Sequence, residues 1–216
     1  MRYDGIGGPL VLLAHGAGAP MDSDAMERLT GALVDAGFRV GRFEFPYMVK
    51  RRQDGRKRPP DGMKTLLKTW RDCLEQVMET CGADERVIIG GKSMGGRMAT
   101  HVLADACPQG VAGGMVFGYP FHPPGRTDRW RTDHFPSLQR PLWIAQGERD
   151  PFGKRDELAD LDWGSVPVQV HWVPNGDHDL LPTRRSGLDP DTLLSDVARS
   201  AADFGQQCLE APLDRI

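Results

Sequence analysis

The run Gly91-Lys92-Ser93-Met94-Gly95 sets a serine among small residues, with an apolar stretch before it and a helical pattern after it. A serine hydroxyl alone is a poor nucleophile. It becomes reactive when a base lies within hydrogen-bond reach and an acid orients that base. The spacing G-x-S-x-G between a strand and a helix is that of a nucleophile elbow, a sharp turn that lifts the hydroxyl above a sheet edge. Glycine is required beside the serine because a Cβ there would crowd the strand or the helix. The matching partners lie downstream in the order acid, then histidine. Asp150 follows the apolar run in "PLWIAQGERDPFG", with Glu148 as an alternative acid two residues closer to the strand. His178 sits in "PNGDHDL", on the loop after the next apolar run, where an imidazole can reach the serine.

Acyl transfer also puts negative charge on a carbonyl oxygen, which backbone N–H groups must receive. The residue after the nucleophile, Met94, offers one at a helix N-terminus. The second is expected from "HGAGAP", residues 15–20, where Ala17 or Gly18 presents an N–H without side-chain obstruction. His15 is expected to brace this loop. His171 lies inside a strand pattern and is read as packing, His101 as structural or surface, and His134 as exposed in a polar loop. Lys92, Arg97 and His122 are the candidate substrate-binding residues. Lys92 is also expected to pair with a nearby acid, Glu44 or Glu148. The aspartates flanking His178, Asp177 and Asp179, are too sparse for a metal loop, so neither metal nor cofactor is expected.

These groups need a scaffold that brings distant loops to one edge. Apolar runs at 9–16, 38–45, 86–91, 111–120, 141–147 and 166–173 read as strands. Helical patterns at 23–37, 62–82, 93–106 and 189–210 alternate with them, the first capped by Ser23 or Asp24 and stopped by Gly37. Such alternation predicts an α/β fold with a mainly parallel sheet, helices on both faces, and function on the loops leaving the strand C-termini. One segment interrupts it. Residues 48–62 hold six basic residues against one acid between 48 and 58, a net +5, and read as a solvated loop or a clamp for an anionic group.

The 216 residues suit one domain, 1–216, with a sizeable core. A net charge of −3 does not suggest a nucleic-acid protein. No apolar run approaches the roughly 18 residues of a membrane span, and the N-terminal run is too short for a signal peptide. Four cysteines without a C-x-x-C pair read as free thiols in a reducing cytoplasm.

Taken together, "LLAHGAGAPMDS", "GGKSMGGRMA", "GYPFHPPG", "QGERDPFG" and "NGDHDL" give the chain a family likeness. It resembles the α/β-hydrolase superfamily along nearly its full length. Within it, the chain is similar to compact, dienelactone-hydrolase-like predicted hydrolases, whose eukaryotic relatives include a testis-expressed protein and a subunit of the NSL histone-acetyltransferase complex. The resemblance implies a three-layer α/β-hydrolase fold that lacks the first strands and has no large cap domain. It implies a Ser93–Asp150–His178 triad. The expected activity is cytoplasmic hydrolysis of a small acyl ester or thioester, anionic ones included, without a cofactor, nucleic acid or membrane. The alternatives are a non-catalytic binding or scaffold protein on the same fold, and a peptidase or acyltransferase using the same triad.

Overall fold

A computed structural model describes residues 1–82, 85–159 and 161–211. Seven strands form one sheet: β1 (Arg2–Asp4), β2 (Leu10–Ala14), β3 (Arg39–Phe43), β4 (Val87–Lys92), β5 (Val111–Phe117), β6 (Leu142–Gly147) and β7 (Val168–Val173). Their order is β1-β3-β2-β4-β5-β6-β7. All neighbours are parallel except β1, which runs antiparallel to β3 with Tyr3 opposite Gly41. This short edge strand lies ahead of the first strand expected from sequence. β2, β5 and β6 are buried along their whole length. Strands covered on both faces read as unbroken apolar runs, which is why they stand out in the sequence.

Five helices cover the sheet: α1 (Asp24–Asp35), α2 (Pro46–Asp54), α3 (Met63–Thr80), α4 (Met94–Ala104) and α5 (Pro190–Glu210). α1 turns Met26, Leu29, Thr30 and Leu33 inward, the spacing of one helical face. It shares one core with α5 through Val197, Ala201 and Phe204. The other face is packed by Trp70 and Leu74 of α3, Met98 and Val102 of α4, and Tyr119, Phe121 and Phe135 of the connection between β5 and β6. Asp189 caps α5 by accepting the Thr192 N–H at 2.8 Å, with Pro190 in the first turn. No helix among the described residues is long and apolar enough to cross a membrane.

The basic segment departs from expectation. Residues 48–54 are helical, as part of α2, and only the remainder to Gly62 is irregular. Pro46 is the first helical residue, where a fixed φ and a missing N–H are harmless. Tyr47 and Met48 are buried and anchor the helix, and Gly55 at φ 71° closes it.

The chain leaves β2 toward β3 on one side, while β4 lies on the other. Strand order thus reverses at β2 and β4, the crevice where open α/β sheets bind ligands beyond the strand C-termini. The "HGAGAP" loop and the serine turn both emerge there.

Candidate active site

Ser93 joins β4 to α4 at φ 51° and ψ −117°, a conformation unusual for a residue with a side chain. The turn is forced by close approach. A Cβ on Gly91, itself at φ +151°, would come within 2.2 Å of the Ala14 carbonyl oxygen. One on Gly95 would come within 2.5 Å of the Ala14 and His15 carbonyl oxygens. The Ser93 N–H donates to the Phe117 carbonyl at 3.1 Å, and the buried Trp70 indole donates to the Gly95 carbonyl at 3.2 Å. Strand, neighbouring strand and α3 therefore all hold the turn.

His178 lies with Nε2 2.9 Å from Ser93 Oγ and Nδ1 2.8 Å from Asp150 Oδ2. Asp150 is fully buried, and its acceptors are occupied: Gln146 Nε2 donates to Oδ2 at 3.0 Å and the Phe152 N–H to Oδ1 at 2.9 Å. A buried carboxylate needs this satisfaction. With Asp150 accepting at Nδ1, the lone pair of Nε2 faces the serine. The Phe152 ring lies 4.3 Å from the imidazole, centroid to centroid. Glu148, the alternative acid, instead accepts the Asn175 N–H at 3.0 Å and shapes the histidine loop.

The loop after β2 is fixed by its carbonyls. Tyr47 Oη donates to the Ala17 and Gly16 carbonyls at 2.9 and 3.3 Å, and Arg51 donates to that of Gly18 at 3.0 Å. In a trans peptide the N–H points opposite the C=O, so these contacts turn the Ala17 and Gly18 N–H groups away from α2. Neither they nor the Met94 N–H meet a protein acceptor among the described residues. His15 braces the loop as expected. It is fully buried, holds the Gly16 carbonyl through Nδ1 at 2.7 Å, and accepts the Phe45 N–H at Nε2 at 3.1 Å. Burial lowers its pKa, against the opposing pull of the Gly16 hydrogen bond, so it stays neutral.

Three expectations about charged and polar side chains need correction. Lys92 pairs with neither Glu44 nor Glu148. Its Nζ lies 2.7 Å from Asp179 Oδ1 and donates to the His178 carbonyl at 3.1 Å, because β4 ends pointing at the histidine loop. Glu44 is taken by Arg52, which also pairs with Asp22, so this part of the basic segment is neutralised within the protein. His122 is buried, not pocket-lining: Nε2 lies 3.2 Å from Glu157 Oε2, and Nδ1 2.9 Å from the Pro123 carbonyl oxygen. His134 is half-buried and stacks on His101 with centroids 3.6 Å apart. His171 stacks on Trp143, in line with a packing role. Arg97 is half-buried one helical turn beyond Ser93.

Sequence reasoning missed Gln146, Tyr47 and the pairing of Asp179 with Lys92. Gln146 carried a signal: a glutamine inside the apolar run "LWIAQG" is a buried polar group in search of partners. Tyr47 and Asp179 act across the fold and leave no local mark. A cavity of about 230 Å³ lies behind the histidine loop, bounded by Leu29, Lys92, Phe117, Asp179 and Leu194. Ser93 is not part of its wall.

The model of the alpha/beta hydrolase domain matches residues 8–206. The chain belongs to the α/β-hydrolase family. Its fold is similar to that of Est1E from Butyrivibrio proteoclasticus bound to ferulic acid, with a TM-score of 0.71 at 11% identity over 97% of this chain and 95% of that one. Dienelactone hydrolase from Anabaena variabilis superposes with a TM-score of 0.69 at 19% identity, covering 92% of this chain and 86% of the other. Monoacylglycerol lipase of Paleococcus ferrophilus gives 0.67 at 14%, with 96% and 98% covered. At these identities the likeness is one of fold. This α/β-hydrolase has a compact form: the connection between β5 and β6, residues 118–141, contains only a short 3-10 turn at Phe135–Ser137 and no cap domain.

Proposed function

We propose that this α/β-hydrolase is a serine esterase or thioesterase that cleaves a small acyl compound through an acyl-serine intermediate. The observation that carries this reading is the unbroken chain from Ser93 Oγ through His178 to the buried Asp150 carboxylate. In the proposed reaction, His178 Nε2 takes the Ser93 proton as Oγ attacks the acyl carbon. Asp150 holds the ring through Nδ1 and stabilises the imidazolium that forms. The developing oxyanion lies against the N–H of Met94 and that of Ala17 or Gly18. Collapse expels the alcohol or thiol, which takes the proton from His178. Water then attacks the acyl-serine, with His178 again as base.

A fluorophosphonate probe tests this directly. Wild type is expected to be labelled at Ser93 and to hydrolyse p-nitrophenyl butyrate. Ser93→Ala should abolish labelling and lower kcat by about 10³-fold or more. A folded protein inert to both the probe and a panel of short-chain esters and thioesters would overturn the reading in favour of a binding protein.

A further inference from the structure

Among the described residues, the half-buried and buried cations of this protein are almost all engaged. Arg42 meets Asp4 and Glu27, Arg39 meets Glu85, Arg58 meets Asp54 and Lys92 meets Asp179. Arg51, Arg86 and Arg140 donate to backbone carbonyls. Two half-buried arginines stand apart: neither Arg97 nor Arg131 has an ion pair or a side-chain hydrogen bond, and Arg97 Nε is buried without an acceptor.

Arg97 lies on the helix that Ser93 opens, and Arg131 on the connection joined to that helix by the Thr100–His134 hydrogen bond. The Arg97 N–H donates to the Ser93 carbonyl at 2.9 Å, which places the residue one helical turn on and on the same helix face. Arg131 lies on the connection that follows β5, the strand that receives the Ser93 N–H. Its backbone is pinned from both sides: its N–H donates to the Phe121 carbonyl at 2.8 Å, and its carbonyl accepts the Tyr119 hydroxyl at 2.8 Å. Burial holds the Arg131 guanidinium below its ordinary pKa, and the nearby Arg97 charge lowers it further, so the two cations feel one another.

No protein anion compensates them among the described residues. The stacked His101 and His134 beside Arg97 are kept neutral, chiefly by burial. Asp133 is exposed and forms no ion pair. Two adjacent, partly desolvated cations are costly unless something negative joins them.

We propose that Arg97 and Arg131 form an oxyanion-binding subsite beside Ser93, and that the substrate carries a free carboxylate or phosphate which their guanidinium groups receive. Unengaged guanidinium forks match both groups geometrically, each donating two parallel hydrogen bonds to the anion's oxygens. The inference rests on the serine-hydrolase reading and narrows its substrate to an anionic acyl compound.

The test compares two esters that differ in one charge, p-nitrophenyl hydrogen glutarate and its methyl ester. Wild type is expected to prefer the anionic ester by about tenfold or more in kcat/KM, chiefly through KM. The preference should shrink as salt is raised. In Arg131→Gln the ratio should fall toward one, and Arg131→Lys should recover part of it. A purely structural role would lower both rates and leave the ratio unchanged. Inhibition by glutarate against that by inorganic phosphate distinguishes the carboxylate source from the phosphate source. Equal kcat/KM for the two esters in wild type, or an unchanged ratio in Arg131→Gln, would overturn the subsite while leaving the hydrolase intact. If neither ester is turned over, the hydrolase reading fails by itself and calorimetric titration with glutarate and phosphate decides the subsite. Binding to wild type that is lost in Arg131→Gln supports it, and no binding of either anion to wild type overturns it.

Discussion

The two flanks of Ser93 are built on opposite principles. On the β2 side, His15, Tyr47, Arg51, Arg52 and Trp70 each meet a carbonyl, a carboxylate or a backbone N–H. On the β5 side, the guanidinium groups of Arg97 and Arg131 meet none among the described residues, and His101 Nε2 is buried and unpartnered. Fixed hydrogen bonds hold N–H groups in place at no cost during a reaction, which is what an oxyanion requires. Unengaged charges hold nothing in place, and their use lies in what they can bind. Under the proposed function, the contrast gives geometry to one flank and recognition to the other.

The largest break in this contrast is expected at Trp70. Its fully buried ring packs edge-on against Phe43, centroids 4.8 Å apart, and its indole N–H holds the Gly95 carbonyl. Trp70→Ala should cost about 3–5 kcal/mol in urea unfolding at neutral pH, as large-to-small changes in a packed core do. A loss below about 1 kcal/mol would mean that α3 does not anchor the elbow.

The β5 flank should show instead in acid. Burial, with the charge of Arg97, pushes His101 down to about 4. Burial, then His101 and Arg97, pushes His134 down to about 3. Both sit below the unfolded value of about 6.5, so the unfolded chain takes up protons first as pH falls. Their contribution is therefore intact above about pH 6.5 and is lost as pH drops from there toward the folded values. Allowing for partial solvent screening, the pair should remove roughly 2 kcal/mol between pH 7 and pH 5. The double variant His101→Gln, His134→Gln should flatten that slope in urea midpoints measured at both pH values. An unchanged slope would place the acid sensitivity elsewhere.

Tyr47→Phe probes the braced flank more gently. Burial pushes the Tyr47 phenol up to about 12, so it is a donor at any working pH. Removing the hydroxyl frees the Gly16 and Ala17 carbonyls and loosens the N–H groups behind them. A fall of roughly tenfold in kcat is expected, about 1.4 kcal/mol of transition-state stabilisation. The fall should be equal for the glutarate half-ester and its methyl ester. A changed ratio between them would mean that the two flanks are not independent.

The parts of this arrangement written in local sequence were legible; those made by contacts across the fold were not. Unbroken apolar runs announced the central parallel strands, and glycine spacing announced the elbow. Asp150 and His178 could be placed because each follows a strand at the expected edge. β1 is only three residues long and partly exposed, so it carries no periodic signal. α2 was hidden because its composition is that of a charged loop and only Tyr47 and Met48 are buried. The partner of Lys92 was misjudged for a related reason: Glu44 and Glu148 lie at strand ends, while Asp179 is brought near by the loop that carries His178. Arg131 had no motif at all. Its meaning comes from a missing partner, which only the packed structure reveals.

Lys92 bridges the two regimes, and its effect should be the smallest. Unlike Arg97, this cation at the elbow is engaged, and it engages the loop that carries His178. Burial works to raise the Asp179 carboxyl, but the Lys92 hydrogen bond and charge outweigh it and hold it below its ordinary value. Lys92→Met would release the His178 carbonyl and leave the Asp179 carboxylate uncompensated on the same loop. We expect kcat to fall by about threefold to tenfold, of the order of one charged hydrogen bond. Lys92→Arg should restore much of the lost rate. The glutarate preference should persist, because the charge that reads it lies on the other flank. Loss of that preference in Lys92→Met, with kcat unmoved, would reverse the assignment and make Lys92 the residue that meets the substrate.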